Sequence, residues 1–159
     1  MKKVISFCLW NQKNGVEEGR DSIISYSIGA IINADIAKKE WKDWVCRYYI
    51  DKSTVDDSII NELKSRDNVE VVLLDNNEGY FSTLWRFYAF TECDLDYIIS
   101  RDVDSRLCIR DKACVDEWIE SGKDIHIIRD HCQHNLTIPA GMWGAKSGMI
   151  GMDILDLYR

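Results

Sequence analysis

The sequence predicts an α/β fold, a three-layer α/β/α sandwich on a largely parallel central sheet. Three observations predict it. Short apolar runs rich in β-branched residues recur at Val4 to Leu9, Cys46 to Ile50, Val69 to Leu74, Tyr97 to Ile99 and Ile125 to Ile128, as strands buried on both faces do. Between them lie segments of about 10 to 15 residues with helical apolar spacing, the connections that parallel strands need. Finally, several runs end in an acid, Asp51, Asp75 and Asp102 among them, and a parallel sheet presents its ligand-binding groups at the carboxyl edge.

Taken in order, Val4 to Leu9 is the first strand. The polar, glycine-containing segment Trp10 to Gly19 ends it and falls where open α/β folds bind ligands. Ser22 to about Lys39 carries Ile24, Ile28, Ile31, Ile32 and Ile36 at a spacing that predicts a long helix with Gly29 inside it. Cys46 to Ile50 follows, and Thr54-Val55-Asp56-Asp57 resembles a capping box opening a helix whose Val55, Ile59, Ile60 and Leu63 share a face. After Val69 to Leu74 and an Asn-Asn-Glu-Gly loop, Ser82 is placed to cap a short helix holding Leu84, Trp85, Phe87, Tyr88 and Phe90, with Arg86 alone among them. The Tyr97 to Ile99 strand comes next. Asp111 to Ser121 is predicted helical, with Asp111 as its cap and Gly122 as its stop. Ile125 to Ile128 runs into Arg129-Asp130-His131, the stretch Asn135 to Gly148 is rich in glycine and small residues, and a last helix is expected from Met149 to Tyr158. No repeat, low-complexity tract or linker interrupts the 159 residues, which therefore read as a single domain.

Composition narrows the function. The formal charge is -7 and Lys and Arg are not clustered, so nucleic acid is not an expected partner. Six cysteines are scattered without a C-x-x-C pair, and the N-terminus lacks a signal peptide's basic and long apolar regions. Reduced thiols and a cytoplasmic setting are the expectation. The sequon Asn135-Leu136-Thr137 then carries no meaning. No run approaches the about 20 apolar residues that span a bilayer, so no transmembrane segment is expected.

The chemistry concentrates at Asp102-Val103-Asp104. At this strand-to-loop transition alternate residues of an extended chain point the same way, and two carboxylates so converging suit Mn2+ or Mg2+, hard cations that share oxygen ligands with substrate phosphates. An anionic ligand reaches an acidic protein most easily when a cation accompanies it. By itself D-x-D is a weak motif, and many are solvated loops. Here an apolar strand precedes it, and Arg101 and Arg106 flank it.

With these residues the chain resembles the GT-A class of nucleotide-sugar-dependent glycosyltransferases, in which a D-x-D motif ending a central strand holds a metal bound to the donor diphosphate. The likeness rests on Asp102-Val103-Asp104 after Tyr97-Ile98-Ile99, on Val4 to Trp10, and on Trp85-Arg86-Phe87 ahead of the motif. The run from Arg129-Asp130-His131 to Gly141-Met142-Trp143-Gly144 is similar to the sugar-side loop of small polysaccharide-building or large-virus glycosyltransferases. The resemblance implies a Rossmann-like nucleotide-binding half, a uridine-diphosphate-sugar donor, a hydroxyl acceptor on a glycan or related molecule, and a metal that withdraws charge from the departing diphosphate. GT-A domains usually run several dozen residues further, so an acceptor lobe or third metal ligand is expected to be missing from this chain.

On this reading Asp102 and Asp104 bind metal, and His131, or else His134, completes the shell, as a histidine does in some GT-A enzymes. Asp102, Arg101, Arg86, Asp51, Asp75, Ser6, Trp10 and Trp143 are the candidate donor contacts. Arg86 reaches for a phosphate, or else covers the adjacent aromatics with its stem. Asp51 and Asp75 meet the nucleobase or ribose, or else make turns and caps. Trp143 among Gly141, Gly144 and Gly148 offers an apolar face to a sugar, or else is a core tryptophan under a glycine-rich turn. Asp130 is the candidate general base, with a salt-bridged structural aspartate as the alternative. His131-Cys132-Gln133-His134, with His126 nearby, lacks the ligand spacing of a structural zinc site.

Two other enzymes share D-x-D or the layout. A haloacid-dehalogenase-type phosphatase carries the motif on its first strand and does not have arginine where this chain has Arg106. A sugar-phosphate nucleotidyltransferase shows a denser glycine loop than Trp10 to Arg20. The non-enzymatic alternative is a metal- or nucleotide-sugar-binding module.

Overall fold

The computed structural model describes residues 1–10, 22–75, 79–132 and 134–149, with 22–25 described as helical backbone only. Six strands form one sheet: β1 (Lys3–Leu9), β2 (Trp44–Asp51), β3 (Val69–Leu74), β4 (Tyr97–Arg101), β5 (Ile125–Ile127) and β6 (Met142–Lys146), in spatial order β3-β2-β1-β4-β6-β5. β1, β2, β3 and β4 pair in parallel, and β6 runs antiparallel to both β4 and β5. The fold is thus mixed α/β on a mostly parallel sheet. α1 (Ser22–Glu40), α2 (Asp57–Lys64) and α3 (Ile109–Ser121) supply the α-helices, and Gly79–Thr91 forms 3-10 helical turns. Among the described residues no helix is long and apolar enough to cross a membrane.

The order of the strands matters more than their number. From β1 the chain builds outward to β2 and β3, then returns to lay β4 on the other side of β1. Strand order reverses between β1 and β4, and in open α/β sheets the crevice at such a reversal is where ligands bind.

Both faces of the sheet are covered. Ile5, Phe7 and Leu9 of β1 and Trp44, Cys46, Tyr48 and Ile50 of β2 pack with α1, α2 and α3 residues such as Ala34, Leu63 and Val115. The alternate residues Val4 and Cys8, with Tyr49 and Ile98, pack with Trp85, Phe87 and Phe90 of the 3-10 segment. Period-2 alternation buried on both sides is what made these strands read as continuous apolar runs.

Four local expectations are corrected. The buried face of α1 is a stripe of small residues, Ser27, Ala30, Asn33, Ala34 and Ala37, whereas Ile28 and Ile32 are 47% and 37% exposed. Small side chains let the helix lie close to the sheet; Ile28 and Ile32 are turned outward, while Ile31 and Ile36 pack half-buried against the core. The cap of α2 is Asp56, whose carboxylate accepts from the Ser58 amide at 2.7 Å, and not Thr54, whose hydroxyl donates to Asp51 at 2.6 Å. The cap of α3 is Cys108, with Asp111 inside the first turn; Gly122 stops the helix in the left-handed region at φ 68°, as expected. The glycine-rich stretch read as a loop contains β6. A glycine fits in that strand because a Cβ at Gly144 would stand 2.7 Å from the Ile98 carbonyl oxygen on β4. The loop after Trp10 and the helix expected beyond Met149 fall on masked stretches 11–21 and 150–159, outside the described residues.

Candidate functional site

β4 delivers its chain to the carboxyl edge beside β1, pairing from Lys3–Tyr97 to Ser6–Ser100. Extended structure ends at Arg101, and the Ser105 amide donates to the Asp102 carbonyl at 3.2 Å. Asp102 to Ser105 is therefore a turn led by an aspartate. The alternation that would aim Asp102 and Asp104 the same way stops one residue too early for the motif. Asp102 lines a cavity; Asp104 is exposed and lies outside the cavity's described lining.

α1 holds this turn from beneath. Asn33, fully buried, donates through Nδ2 to the carbonyls of Val103 (3.2 Å) and Ser105 (2.8 Å) and accepts from the Leu107 amide at 3.0 Å. Gly29 lies against the same segment, where a Cβ would stand 2.8 Å from an Arg106 nitrogen and closer still to the Val103 carbonyl oxygen. The glycine inside a long helix thus marks a close approach of backbones.

Two further elements converge on Asp102. Arg86, 8% exposed, pairs through Nη1 with Asp102 Oδ1 while its guanidinium lies 5.6 Å from the Phe87 ring centroid. Its Nε is buried with no hydrogen-bond partner among the described residues. From the start of β6, Gly141 abuts the carboxylate, where a Cβ would stand 3.0 Å from Oδ1 and nearer to Oδ2. The aspartate's environment is built from the 3-10 segment on one side and β6 on the other.

The cavity that Asp102 borders has a volume of about 380 Å3 and is shared with Arg106, Arg110, Asp130, His131 and His134. Asp130 follows the end of β5. Its Oδ2 pairs with Arg110 at 2.8 Å and its Oδ1 lies 3.1 Å from His134 Nδ1. The site thus combines carboxylates, guanidinium groups and imidazoles around one opening, a combination that binds polar, charged small molecules.

Other candidates are placed elsewhere. Ser6, fully buried, donates to the Arg86 carbonyl at 2.6 Å and so steadies the backbone behind that arginine. Arg101 spends four of its five donors inside the protein, on both oxygens of Asp111 (3.0 and 2.7 Å) and on the carbonyls of Ser100 and Trp143. It borders the cavity at 2% exposure, which makes it a wall and not an arm. Trp143 stacks on Phe90 at 4.2 Å between centroids and is 7% exposed, so its indole is a core face; Met142 borders the cavity instead. Asp51 is fully buried and organises its own loop, accepting from the Ser53 amide and hydroxyl and from Thr54. Asp75 pairs with Lys52 at 2.7 Å and is exposed, and Trp10 is half-buried against the aromatic cluster. Cys8, buried near the end of β1, has its thiol pushed up to about 11 by burial against the pull of Arg86.

Among the described residues no three His, Cys, Asp or Glu side chains gather as a metal cluster. The zinc alternative gains nothing, because His126 lies in β5 stacked on Trp118 at 5.3 Å. Asp102 and Asp104 leave two carboxylates on one turn, one of them paired with Arg86. Two such groups are fewer than the oxygen ligands a resident divalent ion takes, and Asp104 stands outside the cavity's described lining.

Arg110 and Asn33 are the site residues that sequence reasoning did not weigh; Arg106 enters it only as flanking the motif and His134 only as an alternative metal ligand. Asn33 did leave a signal, a polar residue within the small-residue face of a helix. Compared with protein families and with curated proteins, the chain matches none.

Proposed function

We propose that the chain is a glycosyltransferase that moves a sugar from a nucleoside-diphosphate sugar, with uridine as the first-choice base, to a hydroxyl of a glycan or related acceptor. The observation that carries this reading is the position of Asp102: at the carboxyl end of β4, beside the β1/β4 reversal, facing a cavity whose other polar groups come from β4 and the turn after it, from α3 and from the segment after β5. A three-layer arrangement with the 3-10 segment as one outer layer belongs to the same reading.

In this site Arg106 supplies positive charge for a diphosphate, and Arg86 holds the Asp102 carboxylate in place. Asp102 and Asp104 would hold Mn2+ or Mg2+ brought in with the donor; the ion supplies Lewis-acid stabilisation of the departing diphosphate. The cavity, at about 380 Å3, is of the size that small-molecule sites occupy. Acceptor activation belongs to its Asp130 end.

A calorimetric screen of UDP-glucose, UDP-N-acetylglucosamine, GDP-mannose and dTDP-glucose, with and without Mn2+, tests this, followed by assay of nucleoside diphosphate release. The expected result is binding of one donor that strengthens with Mn2+ and is lost in folded Asp102→Asn. No binding in the panel, or binding indifferent to both Mn2+ and Asp102→Asn, refutes it. Binding without turnover supports the non-catalytic module instead.

A further inference from the structure

We infer that His134, oriented by Asp130, is the base that takes the proton from the acceptor hydroxyl, and that Asp130 is its positioning residue; this rests on the transferase reading above. The geometry separates the two roles. Both carboxylate oxygens of Asp130 are engaged, Oδ2 by Arg110 at 2.8 Å and Oδ1 by His134 Nδ1 at 3.1 Å. To take a proton itself, Asp130 would have to give up one of these partners. An ionised carboxylate only accepts, so the Nδ1 facing it carries a proton, and in the neutral ring Nε2 keeps the lone pair.

The chain reaches this arrangement by a short reversal. The His134 amide donates to the His131 carbonyl at 2.8 Å, which folds the segment back so that the imidazole returns over the aspartate four residues earlier. Arg110, in the first turn of α3, anchors the far oxygen. His134, Asp130 and Arg110 border the same cavity as Asp102, and the His134 side chain is 30% exposed. Base and leaving-group sites therefore share one opening.

The step balances as a single displacement. The acceptor O–H bond breaks, its proton goes to His134 Nε2, and its oxygen bonds to the anomeric carbon of the donor. The bond from that carbon to the phosphate oxygen breaks, and its electron pair leaves on the nucleoside diphosphate. Asp130 stabilises the imidazolium without being protonated. A base serving direct attack yields a product of inverted anomeric configuration.

The test uses the full chain and the donor turned over in the panel named above. His134→Ala, with His134→Gln as a second variant, is expected to lower kcat by about 10²- to 10⁴-fold with UDP affinity by calorimetry unchanged. Added imidazole restores part of the activity of His134→Ala. Asp130→Asn is expected to lower kcat without rescue, and nitrogen-15 spectra of the ring are expected to show the Nδ1–H tautomer of the wild type giving way to a mixture. Wild-type turnover in folded His134→Ala and His134→Gln, or a retained tautomer in Asp130→Asn, overturns the dyad alone. Absence of any donor turnover by the wild type overturns the transferase reading and the dyad together. A product of retained configuration overturns the direct-attack step.

Discussion

Replacing Asn33 by alanine tests whether the Asp102 turn is held by α1. The side chain is fully buried and makes three hydrogen bonds, to the Val103 and Ser105 carbonyls and from the Leu107 amide. Ser105 is exposed, so water replaces that bond at little cost. Val103 and Leu107 are buried, at 7% and 4% exposure; the Val103 carbonyl keeps a long bond from Arg106 Nη1 at 3.4 Å, so the Leu107 amide is the group left stranded. At about 1–3 kcal/mol for a buried polar group so stranded, the expected loss is about 1–3 kcal/mol. Urea unfolding measures it as a lower midpoint at unchanged slope. Hydrogen exchange adds a local readout, because the Leu107 amide is expected to lose protection beyond what the global loss explains. Asn33→Leu keeps most of the volume and none of the bonds. If it is nearly as unstable as Asn33→Ala, hydrogen bonding is the cause; if it is as stable as the wild type, the polar staple is refuted. A loss below about 1 kcal/mol in Asn33→Ala, with Leu107 still protected, refutes it as well, since that is less than one stranded group costs.

Gly141→Ala is expected to fold and to lose donor affinity by at least tenfold in calorimetry, because the added methyl falls on the Asp102 carboxylate; unchanged affinity would show that Asp102 moves freely and is not poised by β6. His126 governs a pH effect. Burial, with Arg101 adding to it and Asp111 opposing, depresses its imidazole from 6.5 to about 4. Between those values the unfolded chain binds a proton that the native chain does not. Stability is therefore full above pH 6.5 and falls as pH drops toward 4. His126→Phe keeps the stack on Trp118, removes a buried Nε2 that has no partner among the described residues, and is expected to flatten that part of the pH profile; an unchanged profile in unfolding measurements would assign the slope to other groups.

Much of the scaffold could be read from residue order. β3 was expected at its observed bounds and β1, β2, β4 and β5 within about two residues at either end, because strands buried on both faces are continuous apolar runs. β6 could not be. Met142–Lys146 includes a glycine and a lysine and looks like a loop, and it becomes a strand only because β4 and β5 offer edges on either side of it. The helical period of α1 was clear from its isoleucines, yet its buried face is the alanine stripe, because close approach to the sheet and to Val103 favours small residues over greasy ones.

The sequence by itself determined the alternation of apolar runs and helical spacings, the stop at Gly122, and the arrival of an aspartate where an apolar strand ends. These are local properties, set by neighbours a few residues away. Tertiary structure decided the roles of the polar residues: that Arg101 is absorbed by Asp111 and Arg86 is paired with Asp102, that Trp143 is core, and that Asp130 lies between Arg110 and His134. A charged side chain acts according to the partner that neutralises it, and here several of those partners come from other elements, Arg86 for Asp102 and Arg110 for Asp130. Strand order brings those elements together, so the chemistry of each group is settled only when the sheet has formed.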